Sequence, residues 1–400
     1  MIDKKIVILL LSLGIIFRLI FANLIPPFTG NDEPAHLRHT QHIKVEKTLP
    51  NSNLYQNENL AGNEYFQPPL YYTMLAPLIS LAPDPIHQLR IGRLFSILLW
   101  VITFYFAYKI LIVIKLPQLQ SIIALSLISL LPYYIFNSSS ITNDSLLVTL
   151  STCVTFYIID LLDKKISLTK ICTLSILVSL TILTKLTGFI FIPASILLLY
   201  YKQNKISRKF ISITSVFLSL VILLTAWWFI YNFSVYNDPA GPIKASTAVF
   251  NHVPQSIYKY FLIARGTLFT FWAAYGPANE IRLPQISYIF LSVLTLLSIA
   301  GFFLLLINRD AKPVVNRKML NLLITVITTN IALHIFFNIN QHQPLGRYLF
   351  ASIVPLGICF ALGLNQATPK KIRKYLPGFI IILLLFLNIL GANTLIHYYY

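Results

Sequence analysis

Apolar runs near twenty residues long recur along this chain, from Ile6 to Ile396, with few charges inside them. A helix of about twenty residues spans roughly 30 Å, the thickness of a bilayer's hydrocarbon. Barrel strands would need about half that length and would alternate polar with apolar, which these runs do not. Hydrophobic residues make up 56% of the chain and charged residues only 11%, against about a quarter charged in a soluble domain. The sequence therefore reads as an all-α polytopic membrane protein with about eleven transmembrane helices.

The net charge of +18 does not point to nucleic acid. Most of the 31 Lys and Arg residues gather in short connections on alternate sides of the spans, as at Lys164, Lys165 and Lys170, at Lys202, Lys205, Arg208 and Lys209, at Arg309, Lys312, Arg317 and Lys318, and at Lys370, Lys371, Arg373 and Lys374. Acidic residues favour the other side: Asp32, Glu33, Glu46, Glu58, Glu64, Asp84, Asp144, Asp238 and Glu280. This asymmetry puts the N-terminus inside, the acidic loops outside and the C-terminus outside. Asp3-Lys4-Lys5 before an apolar run resembles a signal peptide. Leu24-Ile25-Pro26-Pro27 offers no small-residue cleavage site, so the run reads as a signal-anchor. Cys153, Cys172 and Cys359 lie in apolar segments and read as small packing residues.

Two outer segments are too long for mere connectors, 26–87 and 232–284. The first opens with Gly30-Asn31-Asp32-Glu33-Pro34-Ala35-His36. Pro34 suits a first helical turn, and the helix should run to about Val45 with His36, His39 and His42 at three-residue spacing. A short apolar helix should follow Gln67-Pro68-Pro69-Leu70-Tyr71-Tyr72, lying at the interface or re-entering the membrane. Carboxylates this close to a bilayer are costly unless they face water or a site. Asp32 or Glu33 could act as a general base, with the other capping or positioning; the plain alternative is a helix cap. Asp32, Glu33, His36 and His39 also make a candidate set for a divalent metal, without the His-Glu-x-x-His order of a metalloprotease.

Arg18 interrupts the first span and reads either as a snorkelling or paired arginine or as a site residue. Lys185 stands between two spans that are short around it, and either snorkels outward or meets a lipid-linked phosphate. Arg347 stands at an outer helix start, where a guanidinium fork suits phosphate.

Asp32-Glu33-Pro34-Ala35-His36, Gln67-Pro68-Pro69-Leu70-Tyr71-Tyr72, Asn143-Asp144, Thr184-Lys185-Leu186-Thr187-Gly188, Trp227-Trp228 through Asn232, and Gly346-Arg347-Tyr348-Leu349-Phe350 occur in that order. Together they resemble the DUF2142 membrane proteins, a branch similar to the GT-C glycosyltransferases such as protein O-mannosyltransferases and lipid A aminoarabinose transferases. The resemblance implies one GT-C-like domain over residues 1–400 in a prokaryotic cytoplasmic membrane, with its active site on the outer face. It implies a polyprenyl-phosphate sugar donor, undecaprenyl or dolichyl, and a lipid, glycan or protein acceptor. Asp32 and Glu33 would be the acid positions and Lys185 and Arg347 the donor-phosphate contacts, with His36, Arg38, Gln67, Tyr71, Asp144 and Tyr348 in support. No cofactor is implied beyond the metal option. Two departures are visible: Gln67 stands where His-Pro-Pro is common, and Leu345 where Gln is expected before Gly-Arg-Tyr. The function read from this is transfer of a sugar at the outer face. A flippase or transporter of lipid-linked glycans is the alternative, and would be expected to show inverted repeats and charged mid-span residues.

Overall fold

The computed structural model describes residues 2–50, 64–241, 256–307 and 315–400. Glu58, Lys244, Arg309 and Lys312 lie outside the described residues. The described chain is helical: α1 (Lys4–Leu24), α2 (Glu33–Glu46), α3 (Leu70–Ile79), α4 (Pro85–Val113), α5 (Gln118–Leu130), α6 (Pro132–Ser138), α7 (Asn143–Leu162), α8 (Leu168–Ile182), α9 (Phe191–Gln203), α10 (Arg208–Tyr236), α11 (Ile257–Trp272), α12 (Gln285–Ile307), α13 (Arg317–Gln341), α14 (Ile353–Ala367) and α15 (Leu376–Tyr399). Short 3-10 turns, Leu186–Ile190 and Gly346–Ser352, lead into α9 and α14.

Among the described residues, nine helical segments are long and apolar enough to cross a bilayer, and a tenth if α5 and α6 count as one bent span. Their bend is 46°. Pro132 is its cause: it has no N–H to give and forces Leu131 into an extended conformation. The span expected over 171–184 is α8, which has 15 residues and falls short of the length usual for a crossing. It ends early because Leu183 to Lys185 leave the helix. Even so, α8 and its extension run the full length of α7. The Tyr157 hydroxyl donates to the Lys170 carbonyl at one end, and Lys185 meets Asp144 at the other.

The basic turns gather at one end of the bundle. Lys202 donates to the Leu162 carbonyl there, and Lys318 lies over the Tyr201 ring. The opposite end carries α2, α3, the start of α7, the end of α8 and the turn before α14. Beneath this end, Leu37, Tyr71, Tyr72, Leu75, Ile79, Leu89, Ile141 and Leu146 form a buried cluster that fixes α2 and α3 onto α4 and α7. At roughly 1.5–3 kcal/mol for each fully buried large side chain, that packing is enough to hold the loop helices in one place.

Arg18 neither snorkels nor faces a site. It is fully buried, donates to Ser138 Oγ and to the carbonyls of Gly14 and Ser129, and stacks 3.7 Å over the Trp100 ring. It thereby ties α1 to the bent α5–α6 pair. The second outer segment also contains a helix, α11, that its sequence reading did not anticipate.

Candidate active site

Two adjacent carboxylates open α2, and the fold separates their work. Glu33 points inward and is fully buried. Its Oε2 accepts from Arg93 Nη2 at 2.6 Å and from the Gly30 N–H at 3.3 Å. Its Oε1 accepts from Arg93 Nε at 2.9 Å and from the Ile141 N–H at 3.0 Å. Arg93 also donates to the carbonyls of Ala22, Ile25 and Pro26, which a helix end leaves without helical partners. Both oxygens of Glu33 are thus committed to locking the loop after α1, and the carboxylate has no face left for a substrate. Gly30 permits this: a Cβ there would come within 2.5 Å of Ser140 Oγ and 3.1 Å of the Glu33 carboxyl.

Asp32 turns the other way. Its backbone is left-handed, with φ 51, and its side chain does not cap α2. A conformation that costs a non-glycine residue about 1 kcal/mol is held here by the pair its carboxylate makes with Arg347 Nη2 at 2.6 Å. The Asp32 side chain is 39% accessible while Arg347 is 8% accessible, so the acid stands at the open side of the pair. Burial by itself would raise the Asp32 carboxyl. The Arg347 guanidinium, by charge and hydrogen bond, and Lys185 outweigh that and hold it below its usual value.

A second ion pair lies alongside. Lys185 Nζ meets Asp144 Oδ1 at 2.5 Å, with Asp144 3% accessible. The two cations share the Tyr348 ring: Lys185 Nζ is 5.4 Å and the Arg347 guanidinium 5.6 Å from its centroid. Tyr348 is fixed in turn by its hydroxyl, which donates to Gln343 Oε1 at 2.6 Å. Lys185 and Arg347 therefore converge on one recess, from chain positions 162 residues apart (347 − 185).

His36 approaches the recess from α2, with Nδ1 2.8 Å from the Tyr72 hydroxyl. Burial lowers its imidazole to about 4, against the pull of Asp32, so it is neutral near pH 7. His39 stacks on Tyr72 at 3.7 Å and its Nδ1 meets the Glu64 carbonyl; burial lowers it to about 3. Gln67 Oε1 accepts from Asn143 Nδ2 at 3.4 Å, joining the α3 approach to the start of α7.

Several expected roles change. Glu33, His36 and His39 each spend ring or carboxyl atoms on different partners, and Asp32 pairs with Arg347. Among the described residues no group of three or more His, Cys, Asp or Glu side chains could hold a metal ion. The four-residue metal set therefore does not converge. Tyr71 is a core residue, fully buried under α2, and Tyr72 is the tyrosine that meets the recess. Arg38 is exposed on α2, whereas His36 and His39 on the same helix are buried.

Glu64 belongs to the recess and escaped the sequence reading. Burial and the Asp32 charge raise its carboxyl to about 7, against Lys185, a Gln67 hydrogen bond and Arg347. The signal for it was its place three residues before Gln67-Pro68-Pro69, obscured by a polar stretch without periodicity.

A family profile described as predicted membrane protein (DUF2142) matches residues 44–356, most of the chain. The chain belongs to the DUF2142 family. In this DUF2142 protein Asp32 and Glu33 precede the matched region, while Gln67, Asp144, Lys185 and Arg347 lie within it. No curated protein sequence matches. Among solved structures, the fold is similar to that of ArnT from Cupriavidus metallidurans bound to undecaprenyl phosphate, with TM-score 0.55 and 16% identity over 95% of this chain and 64% of that one. It is also similar to the oligosaccharyltransferase AglB from Archaeoglobus fulgidus in complex with an inhibitory peptide and a dolichol-phosphate, with TM-score 0.57 and 13% identity over 96% and 56% of the two chains. The DUF2142 chain thus spans less than two thirds of either structure. At these identities the likeness is one of fold, the GT-C-like helical arrangement.

Proposed function

We propose that this DUF2142 protein is a membrane glycosyltransferase that moves a sugar from a polyprenyl-phosphate carrier to an acceptor at the outer face. The observation that carries this reading is the pair of neighbouring ion pairs, Asp32–Arg347 and Asp144–Lys185, around one tyrosine at the end of the bundle away from the basic turns. Two cations held a ring apart suit a phosphate, and an accessible carboxylate beside them suits a proton acceptor. The ligands bound to the two similar folds, undecaprenyl phosphate and a dolichol-phosphate, belong to the same chemical class and support the reading.

The reaction is a single displacement with inversion. The Asp32 carboxylate takes the proton of an acceptor hydroxyl or amine as that atom attacks the anomeric carbon. The bond from the anomeric carbon to the phosphate oxygen breaks, and its electron pair stays with the lipid phosphate. Arg347 and Lys185 stabilise the charge that grows there. His36 stays neutral beside Asp32 and adds no competing charge. Glu33 holds the loop through Arg93. The positive-inside bias, with α8 counted as an eleventh pass, supports a recess on the outer side and basic turns on the inner side.

The test is binding of undecaprenyl phosphate in detergent. Arg347→Ala and Lys185→Ala should each weaken it by roughly tenfold or more, as the loss of a charge-assisted contact implies. Unchanged affinity in both folded variants would return the two cations to structural pairing.

A further inference from the structure

Around the two ion pairs, the buried polar atoms without a hydrogen-bond partner among the described residues include Glu64 Oε2, Asn143 Oδ1, Asp144 Oδ2 and Arg347 Nε. Buried polar atoms are partnered in the great majority of cases, and these exceptions, drawn from distant parts of the chain to one recess, ask for a common cause. They are also of two kinds. Arg347 Nε is a donor and wants an anion. The other three are oxygens: those of Asn143 and Asp144 accept and want O–H or N–H groups, and the Glu64 carboxyl accepts when ionised and both accepts and donates when protonated.

The acceptors lie together. Asn143 and Asp144 begin α7, and both reach the Thr184–Lys185 segment, Asn143 through the Thr184 carbonyl and Asp144 through Lys185. Asn143 also donates to Gln67, which bonds the Glu64 side chain in turn. The Glu64 backbone is pinned from two sides, its carbonyl receiving the Gln67 N–H at 3.0 Å and facing His39 Nδ1 at 3.0 Å. Asn143 and Asp144 are almost wholly buried, at 1% and 2% accessible, so bulk water does not serve as their partner.

Resting on the glycosyltransferase reading above, we infer that Glu64, Asn143 and Asp144 form the subsite for the donor's sugar ring and accept hydrogen bonds from its hydroxyl groups. The phosphate lies toward Arg347 and Lys185, which places the polyhydroxylated group of the same ligand against the three oxygens. Asp144 serves both halves, since Oδ1 holds Lys185 and Oδ2 faces the sugar. A site built to hydrogen-bond hydroxyls discriminates strongly against a ligand without them, because its own acceptors are then left unpaired. The alternative is that these atoms only bridge neighbouring elements through water.

The experiment compares bare undecaprenyl phosphate with undecaprenyl phosphate carrying hexose, 6-deoxyhexose or pentose, using full-length protein in detergent. In the wild type at least one glycosylated form should bind about tenfold more tightly than the bare lipid, and Glu64→Gln and Asn143→Ala should each remove most of that gain. Both variants should bind the bare lipid no more weakly than wild type, which also shows that they are folded. Asp144 is left intact because its loss would disturb Lys185. No gain for any glycosylated form, or a gain that survives both substitutions, overturns the subsite while leaving the phosphate reading standing. Failure of the bare lipid itself to bind the wild type would overturn both.

Discussion

Asp32 and Glu33 are neighbours whose side chains meet different charges, and their variants should therefore fail differently. Glu33→Gln leaves Arg93 buried without its counter-charge, a loss of about 3–5 kcal/mol where such pairs have been broken. Its melting temperature in detergent should fall well below wild type while undecaprenyl-phosphate affinity of the folded protein stays near wild type. Asp32→Asn should do the reverse. If Arg347 holds the donor phosphate as proposed, that phosphate must compete in the wild type with the Asp32 carboxylate. Removing that charge should tighten binding of bare undecaprenyl phosphate about tenfold, the scale of one charge-assisted contact, as titration would show. Weaker binding would mean that the pair is not displaced by the ligand. Lys185, Arg347 and Asp144 were legible in the sequence because ionised groups beside apolar spans need a reason to be there. The Glu33–Arg93 pair was not, since 60 residues separate its partners and nothing local links them. Glu64 was hidden for a similar reason: only the fold brings it to Asp32.

The turn before α14 carries Arg347, and its position depends on contact with α11. A Cβ on Gly346 would lie 2.2 Å from the Phe271 amide nitrogen, and the Gly346 N–H donates to Thr270 Oγ1 at 2.6 Å. Gly346→Ala must push the two elements apart, at a cost of about 1–3 kcal/mol for overpacking. Undecaprenyl-phosphate affinity should fall by at least tenfold, because Arg347 moves with the turn. Unchanged affinity would show that Arg347 is positioned by Asp32 alone. Helix α2 sets a second element-level expectation. His36 and His39 are lowered to about 4 and about 3 by burial, below the ordinary 6.5. Their unfolded forms take up protons below pH 6.5 while the folded forms do not. The stability these two histidines carry is therefore complete above pH 6.5 and declines as pH falls from there toward 4, opposed in part by Glu64, whose carboxyl raised to about 7 gains stability over the same fall. Melting temperatures across that range should drop, and His36→Gln should flatten the slope; an equal slope in the variant would contradict the assignment. The spans themselves were legible through length and apolarity. The bend at Pro132 and helix α11 were less so: the first depends on how the chain packs after a proline, and the second mixes Lys259 and Arg265 with aromatic residues.

At the scale of the whole molecule, the two ends of the bundle differ in charge, and by the positive-inside rule that difference predicts its direction in the membrane. Basic turns meet at one end and the recess opens at the other. With Cys153, Cys172 and Cys359 replaced, a cysteine at Lys47 should react with an impermeant thiol reagent added outside, and one at Lys205 should not. The reverse pattern would put the recess on the cytoplasmic side and remove the outer-face donor geometry. Sugar transfer in the recess with Asp32 as its base stands or falls on turnover of Asp32→Asn with a synthetic polyprenyl-phosphate sugar as donor, beside a parallel binding measurement. Turnover should fall by about 10²–10⁴-fold, the range for a positioned acid–base group, with donor bound at least as tightly as by wild type. Turnover near the wild-type rate in a variant that binds donor normally would contradict it, and would favour movement of lipid-linked glycans over their chemistry.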